Sequence, residues 1–221
     1  MTSTILRTGP WGSISRYCCA LLSPSSPDAA PTDLQTALST PRLVVFSGLP
    51  GTGKSTLARV AGGVLQCPVF GKDDVHATLL RSGLSYERAG WMAHHLITML
   101  AQNQLQAGQS AILDSVTAHQ KMRDDWAHLA EREGAVFRGV ECVCSDPDLH
   151  RARLTGRGET IPGWRAIQWE DVAEVASRYE PWAGEHLVLD GAQPLELARK
   201  ALRAYLRNGS IGPPAQALPS Q

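Results

Sequence analysis

Gly48-Leu-Pro-Gly-Thr-Gly-Lys-Ser-Thr56 decides how this chain is read. It spells G-x-x-x-x-G-K-[ST], with Gly48, Gly53, Lys54 and Ser55 at the fixed positions. The spelling has a chemical cause. A glycine-rich loop lets successive backbone N–H groups turn inward and hold phosphate oxygens. Lys54 would reach the outer phosphates, and the Ser55 hydroxyl would ligate Mg²⁺. The helix running on through Thr56 points its positive end at the same anions. Gly48, Leu49, Pro50, Gly51, Thr52, Gly53, Lys54, Ser55 and Thr56 are therefore the expected nucleotide-binding residues.

The flanks support this. Arg42-Leu-Val-Val-Phe-Ser47 is a short apolar, β-branched run, the pattern of a buried strand. Leu57, Ala58, Val60 and Ala61 follow as one helix face. Strand, loop and helix come in the required order. The competing reading is a glycine-rich turn with an incidental Lys-Ser.

Further out, strands and helices alternate, which predicts a parallel sheet covered on both faces. Strands are expected at Leu43–Ser47, Pro68–Phe70, Ser110–Asp114, Val136–Cys144 and His186–Asp190. Helices are expected at Lys54–Leu65, Asp73–Arg81, Tyr86–Ala107, Thr117–Glu133, from Asp146-Pro147, at Trp169–Tyr179 and at Pro194–Leu206. Asp73 or Asp74 could cap the second helix, and Thr117-Ala-His-Gln120 has capping-box spelling.

The bulk numbers bound the rest. The 221 residues suit one α/β domain with appendages, and 43% hydrophobic content can fill a core. Twenty-one basic and 21 acidic residues cancel, so nothing draws the chain to nucleic acid or an anionic membrane. No apolar run approaches the roughly 20 residues of a membrane span. Five cysteines without paired C-x-x-C spacing argue for a reducing, cytoplasmic setting. Residues 1–41 carry Ser and Pro clusters without periodicity and read as a disordered extension. A transit peptide competes through Arg7 and Arg16, against Asp28 and Asp33. Residues 42–207 form the domain, and 208–221 read as a disordered tail.

Several side chains could do chemistry. In an open parallel sheet, ligands sit beyond the carboxyl ends of the strands. Asp73 follows the second strand there and could take a proton from an attacking hydroxyl. Asp74 is a cap or a supporting group. Asp114 ends the third strand at the position that organises a metal's water shell; the alternative is a loop cap. Arg151, Arg153 and Arg157 lie on and after one helix, before a run with Gly158 and Gly163. Such arginines can clamp a transferring phosphoryl, and the segment suits a small Arg-rich lid; the alternative is a solvated basic face. Arg123 reads more simply as a surface arginine. Trp91, Met92 and Met99 read as core packing, and at most one of His94 and His95 lines a pocket.

GLPGTGKST, Lys72-Asp-Asp74, Ala111-Ile-Leu-Asp114 with Arg123 nine residues on, Arg153-Leu-Thr-Gly-Arg157 and Arg178-Tyr-Glu-Pro-Trp182 together resemble the AAA-type P-loop kinase-like family. Zeta toxins, chloramphenicol phosphotransferase and the kinase domain of bacteriophage polynucleotide kinase belong to it. The resemblance, over roughly residues 42–207, implies an α/β P-loop NTPase fold with a five-stranded parallel sheet in order 2-3-1-4-5. It implies ATP with Mg²⁺ as donor, Asp73 as general base, Arg153 and Arg157 as lid arginines, and Asp190-Gly191 near the adenine. Lys54 and these three are the implied catalytic residues, with Ser55 and Asp114 holding the metal. Two departures stand out. His76 replaces the arginine that polynucleotide-kinase-like members carry three residues after the base, and Ser115-Val116 replaces their Thr-Asn. Both speak against a polynucleotide acceptor.

The leading expectation is an ATP-dependent phosphotransferase acting on a hydroxyl of an unidentified small molecule. A nucleotide switch or NTPase with water as acceptor is the alternative. A toxin-like or nucleic-acid-end kinase and an inactive nucleotide-binding module follow.

Overall fold

The computed structural model describes residues 40–156, 161 and 167–208. All of the expected N-terminal extension but Thr40 and Pro41, all of the expected tail but Asn208, and Arg157 lie outside the described residues. Five strands form one sheet: β1 (Arg42–Ser47), β2 (Val69–Gly71), β3 (Ala111–Asp114), β4 (Val136–Val143) and β5 (Leu187–Asp190). The order is β2-β3-β1-β4-β5, every pairing parallel, with Val45 opposite Leu113 on one side and Gly139 on the other. Seven helices connect and cover them: α1 (Lys54–Leu65), α2 (Lys72–Arg81), α3 (Tyr86–Gln106), α4 (Gln120–Arg132), α5 (Pro147–Thr155), α6 (Trp169–Ser177) and α7 (Leu195–Asn208).

The composition of β1 follows from its central place. Val44 and Phe46 point to a core shared with α1 and α7. Leu43 and Val45 point to a second core shared with α3 and α4. Both faces being buried, the middle of the strand, Leu43 to Phe46, is continuously apolar rather than alternating. On α3 the inward stripe is Ala89, Ala93, Ile97, Ala101 and Leu105, four residues apart and buried. Its alanines bring the helix close to its neighbours.

That stripe corrects the expectation for Trp91, Met92 and Met99. They lie off it, and Trp91 is 67% exposed. The capping box at Thr117 also fails. Thr117 has φ +50°, its hydroxyl bonds the Ser115 carbonyl, and α4 starts only at Gln120. The intervening turn is used elsewhere: Val116 and Ala118 lend their carbonyls to Gly48, Ser47, Arg123 and Glu180. The Gln120 N–H is capped instead by the Glu180 carboxylate. Neither Asp73 nor Asp74 caps α2, whose N-cap is Gly71. Among the described residues no helix is long and apolar enough to cross a membrane.

Candidate active site

The loop between β1 and α1 is held from below and from the side. Gly48 has φ +130°, and a Cβ there would sit 2.1 Å from the Cys142 carbonyl oxygen, so only glycine fits. The Gly48 N–H bonds the Val116 carbonyl. Ser47 Oγ donates to the same carbonyl at 2.9 Å and shares a 2.7 Å hydrogen bond with the Tyr179 hydroxyl. Burial pushes that phenol up to about 12. Laterally, His150 on α5 is buried, and its Nε2 donates to the Pro50 carbonyl at 2.6 Å. The Trp169 ring meets His150 edge-on and carries the Arg151 guanidinium. Lys54 is 8% exposed, with Nζ donating to the Leu49 carbonyl at 2.8 Å.

Two cavities flank this loop. The first, about 230 Å³, is lined by Pro50, Gly51, Gly53, Lys54, Ser55, Arg59, Val69, Gly71, Asp73, Asp74, Asp114, Ser115, Val116, Ile161 and Ile167. Lys54, Ser55, Asp73 and Asp114 thus meet in one place, as the sequence reading expects. The Asp73 side chain opens on the cleft, yet the protein around it strips much of its water. That desolvation raises its pKa above the ordinary carboxylate value. The Lys54 charge works the other way, and Asp114 adds to the rise. Ser115 is 4% exposed, and its Oγ has no hydrogen-bond partner among the described residues.

The second cavity, about 310 Å³, lies on the other side of the loop. Gly51, Thr52, Gly53 and Thr56 form one wall, with Arg153, Asp190, Gly191, Gln193, Leu195 and Ala198 opposite. The Arg153 guanidinium donates to the Gly191 carbonyl at 2.8 Å. Asp190 is held by the Ser145 N–H and hydroxyl and the Ala192 N–H. Burial alone would raise its pKa, but these hydrogen bonds bring it below the ordinary value. Arg153 therefore stands beside the second cavity and does not line the first. Gly48 and Leu49 line neither and serve as the root of the loop.

Other candidates have structural posts. Arg123, expected on the surface, is 1% exposed. It donates to the Ala118 and Glu180 carbonyls and packs on the Tyr179 and Trp182 rings. His76 Nε2 donates to the Tyr86 carbonyl at 2.9 Å, tying α2 to α3. Neither His94 nor His95 lines either cavity. His94 stacks on Trp126, and burial pushes its pKa down to about 4, with Lys72 and His95 adding to it. Sequence reading missed Arg59 as a lining residue. Its place four residues after Ser55, hence on the same helix face, was the available signal.

The residues fit a nucleoside triphosphate. The N–H groups of Gly51, Gly53 and Ser55 have no hydrogen-bond partner among the described residues, which is the state of donors that await an anion. A divalent cation would be held by Ser55 and Asp114 together with phosphate oxygens. Among the described residues no three His, Cys, Asp or Glu side chains form a metal site by themselves.

The model of the AAA domain family matches residues 43–181. An uncharacterized protein of Mycobacterium tuberculosis (strain ATCC 25618 / H37Rv) is 31% identical over 209 residues, covering 85% of this chain and 40% of its own. The chain thus spans less than half the length of that curated relative. A candidate kinase from Chloroflexus aurantiacus j-10-fl superposes with TM-score 0.63 at 26% identity, over 76% of this chain and 97% of that one. A gluconokinase from Sinorhizobium meliloti 1021 gives 0.57 at 17%, over 77% and 95%. Chaetomium thermophilum Kti12, solved with ADP-AlF3, gives 0.58 at 18%, over 77% and 100%. These last two share the fold.

Proposed function

The chain belongs to the AAA-type P-loop kinase-like family, and from that premise we propose that it transfers the γ-phosphate of ATP to a hydroxyl of a small molecule. One observation carries the reading: Asp73 opens into the same cavity as Lys54, Ser55 and Asp114 and feels the charges of Lys54 and Asp114. A carboxylate so placed is within the field of the phosphate loop, on the side away from the second cavity.

The loop N–H groups and Lys54 bind and orient the β- and γ-phosphates. Lys54 leaves the Leu49 carbonyl to do so. Ser55 and Asp114 would hold Mg²⁺, which when bound would supply positive charge to the phosphates. Asp73 accepts the proton of the acceptor hydroxyl as its oxygen bonds to the γ-phosphorus and the bridge to ADP breaks. Its raised pKa makes it a better proton acceptor than an ordinary carboxylate. Arg153, with the Gly191 backbone, Leu195 and Ala198, fits the flat face of a nucleobase in the second cavity. Ile161 and Ile167 add apolar surface to the lining of the first cavity, which favours excluding water from it. Arg157, outside the described residues, keeps the lid-arginine role that the family resemblance implies.

The test is transfer of labelled γ-phosphate from ATP–Mg²⁺ to pooled hydroxy compounds, with Lys54→Ala as blank. A labelled acceptor, absent from the blank, supports the kinase. Phosphate release alone, also lost in the blank, means water is the acceptor and overturns it.

A further inference from the structure

The first cavity holds more charge than phosphate transfer uses. Its lining carries two cations, Lys54 and Arg59, and three carboxylates, Asp73, Asp74 and Asp114. The transfer chemistry employs Lys54, Asp73 and Asp114. Arg59 and Asp74 are left over, and among the described residues neither side chain has a hydrogen-bond or ion-pair partner. Both are exposed to solvent at the cavity, so their charges are free to meet a ligand there.

Their places are set by helix geometry. Ser55 and Arg59 are four residues apart on α1 and face the first cavity, whereas Thr56 faces the second. The body of α1 therefore divides the two spaces. Arg59 lies a turn further from the loop than Ser55 and lines the cavity with Val69 and Gly71 at β2, beyond which Asp73 and Asp74 follow directly. This is the end of the cavity away from the second pocket. The Asp74 carboxylate lies over Gly71: a Cβ there would fall 2.4 Å from its Oδ2, so the space exists because that residue has no side chain.

We propose that Arg59 is the specificity-determining residue for the acceptor, and that the acceptor carries an anionic group, a carboxylate or a phosphate, beside the hydroxyl that is phosphorylated. The guanidinium fork binds either anion through two parallel hydrogen bonds. Asp74 receives a second donor of the same molecule, a hydroxyl or an ammonium, and repels the anion from that wall. Between them the pair sets which hydroxyl meets Asp73. The proposal deepens the kinase reading and rests on it for the identity of the ligand as an acceptor.

The test uses the full chain saturated with a non-hydrolysable ATP analogue and Mg²⁺, and reads its melting midpoint against three pools: hydroxy acids, phosphorylated alcohols and neutral polyols. One of the two anionic pools is expected to raise the midpoint, and which one does names the anion. Arg59→Gln weakens that response about 10- to 100-fold in the concentration needed, and Arg59→Lys recovers part of it. Trp91→Ser, outside both cavities, keeps the response and serves as the control. The unliganded midpoint of each variant checks its folding. A response to neutral polyols equal to that of the anions, a response untouched by Arg59→Gln, or none to either anionic pool overturns the proposal. Labelled transfer is scored separately. An Arg59-dependent response without transfer would overturn the kinase reading and leave the anion site standing.

Discussion

The two cavities beside the phosphate loop share glycines and little else. The first is walled by charged side chains, three of them carboxylates. The second is walled by glycines, threonines, Gln193, Ala198 and a 42% exposed Leu195, and its two charges are already engaged within the protein, Arg153 on the Gly191 carbonyl and Asp190 on Ser145 and Ala192. The difference follows from the work each would do. Moving a phosphoryl group needs charges that change partners during the reaction. Holding a flat heterocycle needs a slot that does not change. Gly51 and Gly53 line both, so the loop is the hinge of the comparison.

The sharpest way to break the pairing is to alter the first cavity alone. Asp73→Asn is expected to lower turnover about 10²- to 10⁴-fold while leaving ATP affinity close to wild type, measured by steady-state kinetics beside nucleotide titration. The same residue sets a pH dependence. Its folded pKa is raised, so turnover climbs with pH through a limb above the ordinary carboxylate value of about 4. The stability sign is opposite to that of a paired carboxylate. Between the ordinary and the raised value the folded protein binds more protons than the unfolded chain, so stability falls as pH rises there. Asp73→Asn removes that loss, and the variant should melt higher than wild type at neutral pH.

A change at the shared root should damage both cavities. Gly48→Ala puts a methyl group against the Cys142 carbonyl at positive φ. It is expected to cost about 2–4 kcal/mol in stability and to weaken ATP binding, read by denaturant unfolding and titration. A change on the far side should touch the nucleotide only. Arg153→Ala is expected to raise the KM for ATP about 10-fold and leave the acceptor KM unchanged. The smallest effect belongs outside both cavities. Trp91→Ser should change stability by less than about 0.5 kcal/mol, because the ring lies off the buried stripe of α3.

What the sequence disclosed followed from how local each signal is. The phosphate loop and β1 were legible because a glycine spelling and a continuous apolar run each carry their own cause. Asp73 and Asp114 were legible because strand ends in a parallel sheet all open on one rim. The seat of Arg123 was not, since its partners are the carbonyls of Ala118 and of Glu180, 57 residues away. Thr117 misled for a related reason: its local pattern offers a cap, while the turn is held open by distant donors at Gly48 and Glu180. Trp91 misled because an amphipathic count treats every apolar residue as core, whereas the alanines of α3 define the buried face.

The most direct measurement compares Asp73→Asn with wild type, in ATP affinity and in labelled phosphate transfer, across pH. The account requires near-equal affinity, lost transfer, and loss of the acidic limb expected of the wild type. Equal transfer by the variant, with the same pH profile, would contradict Asp73 as the base.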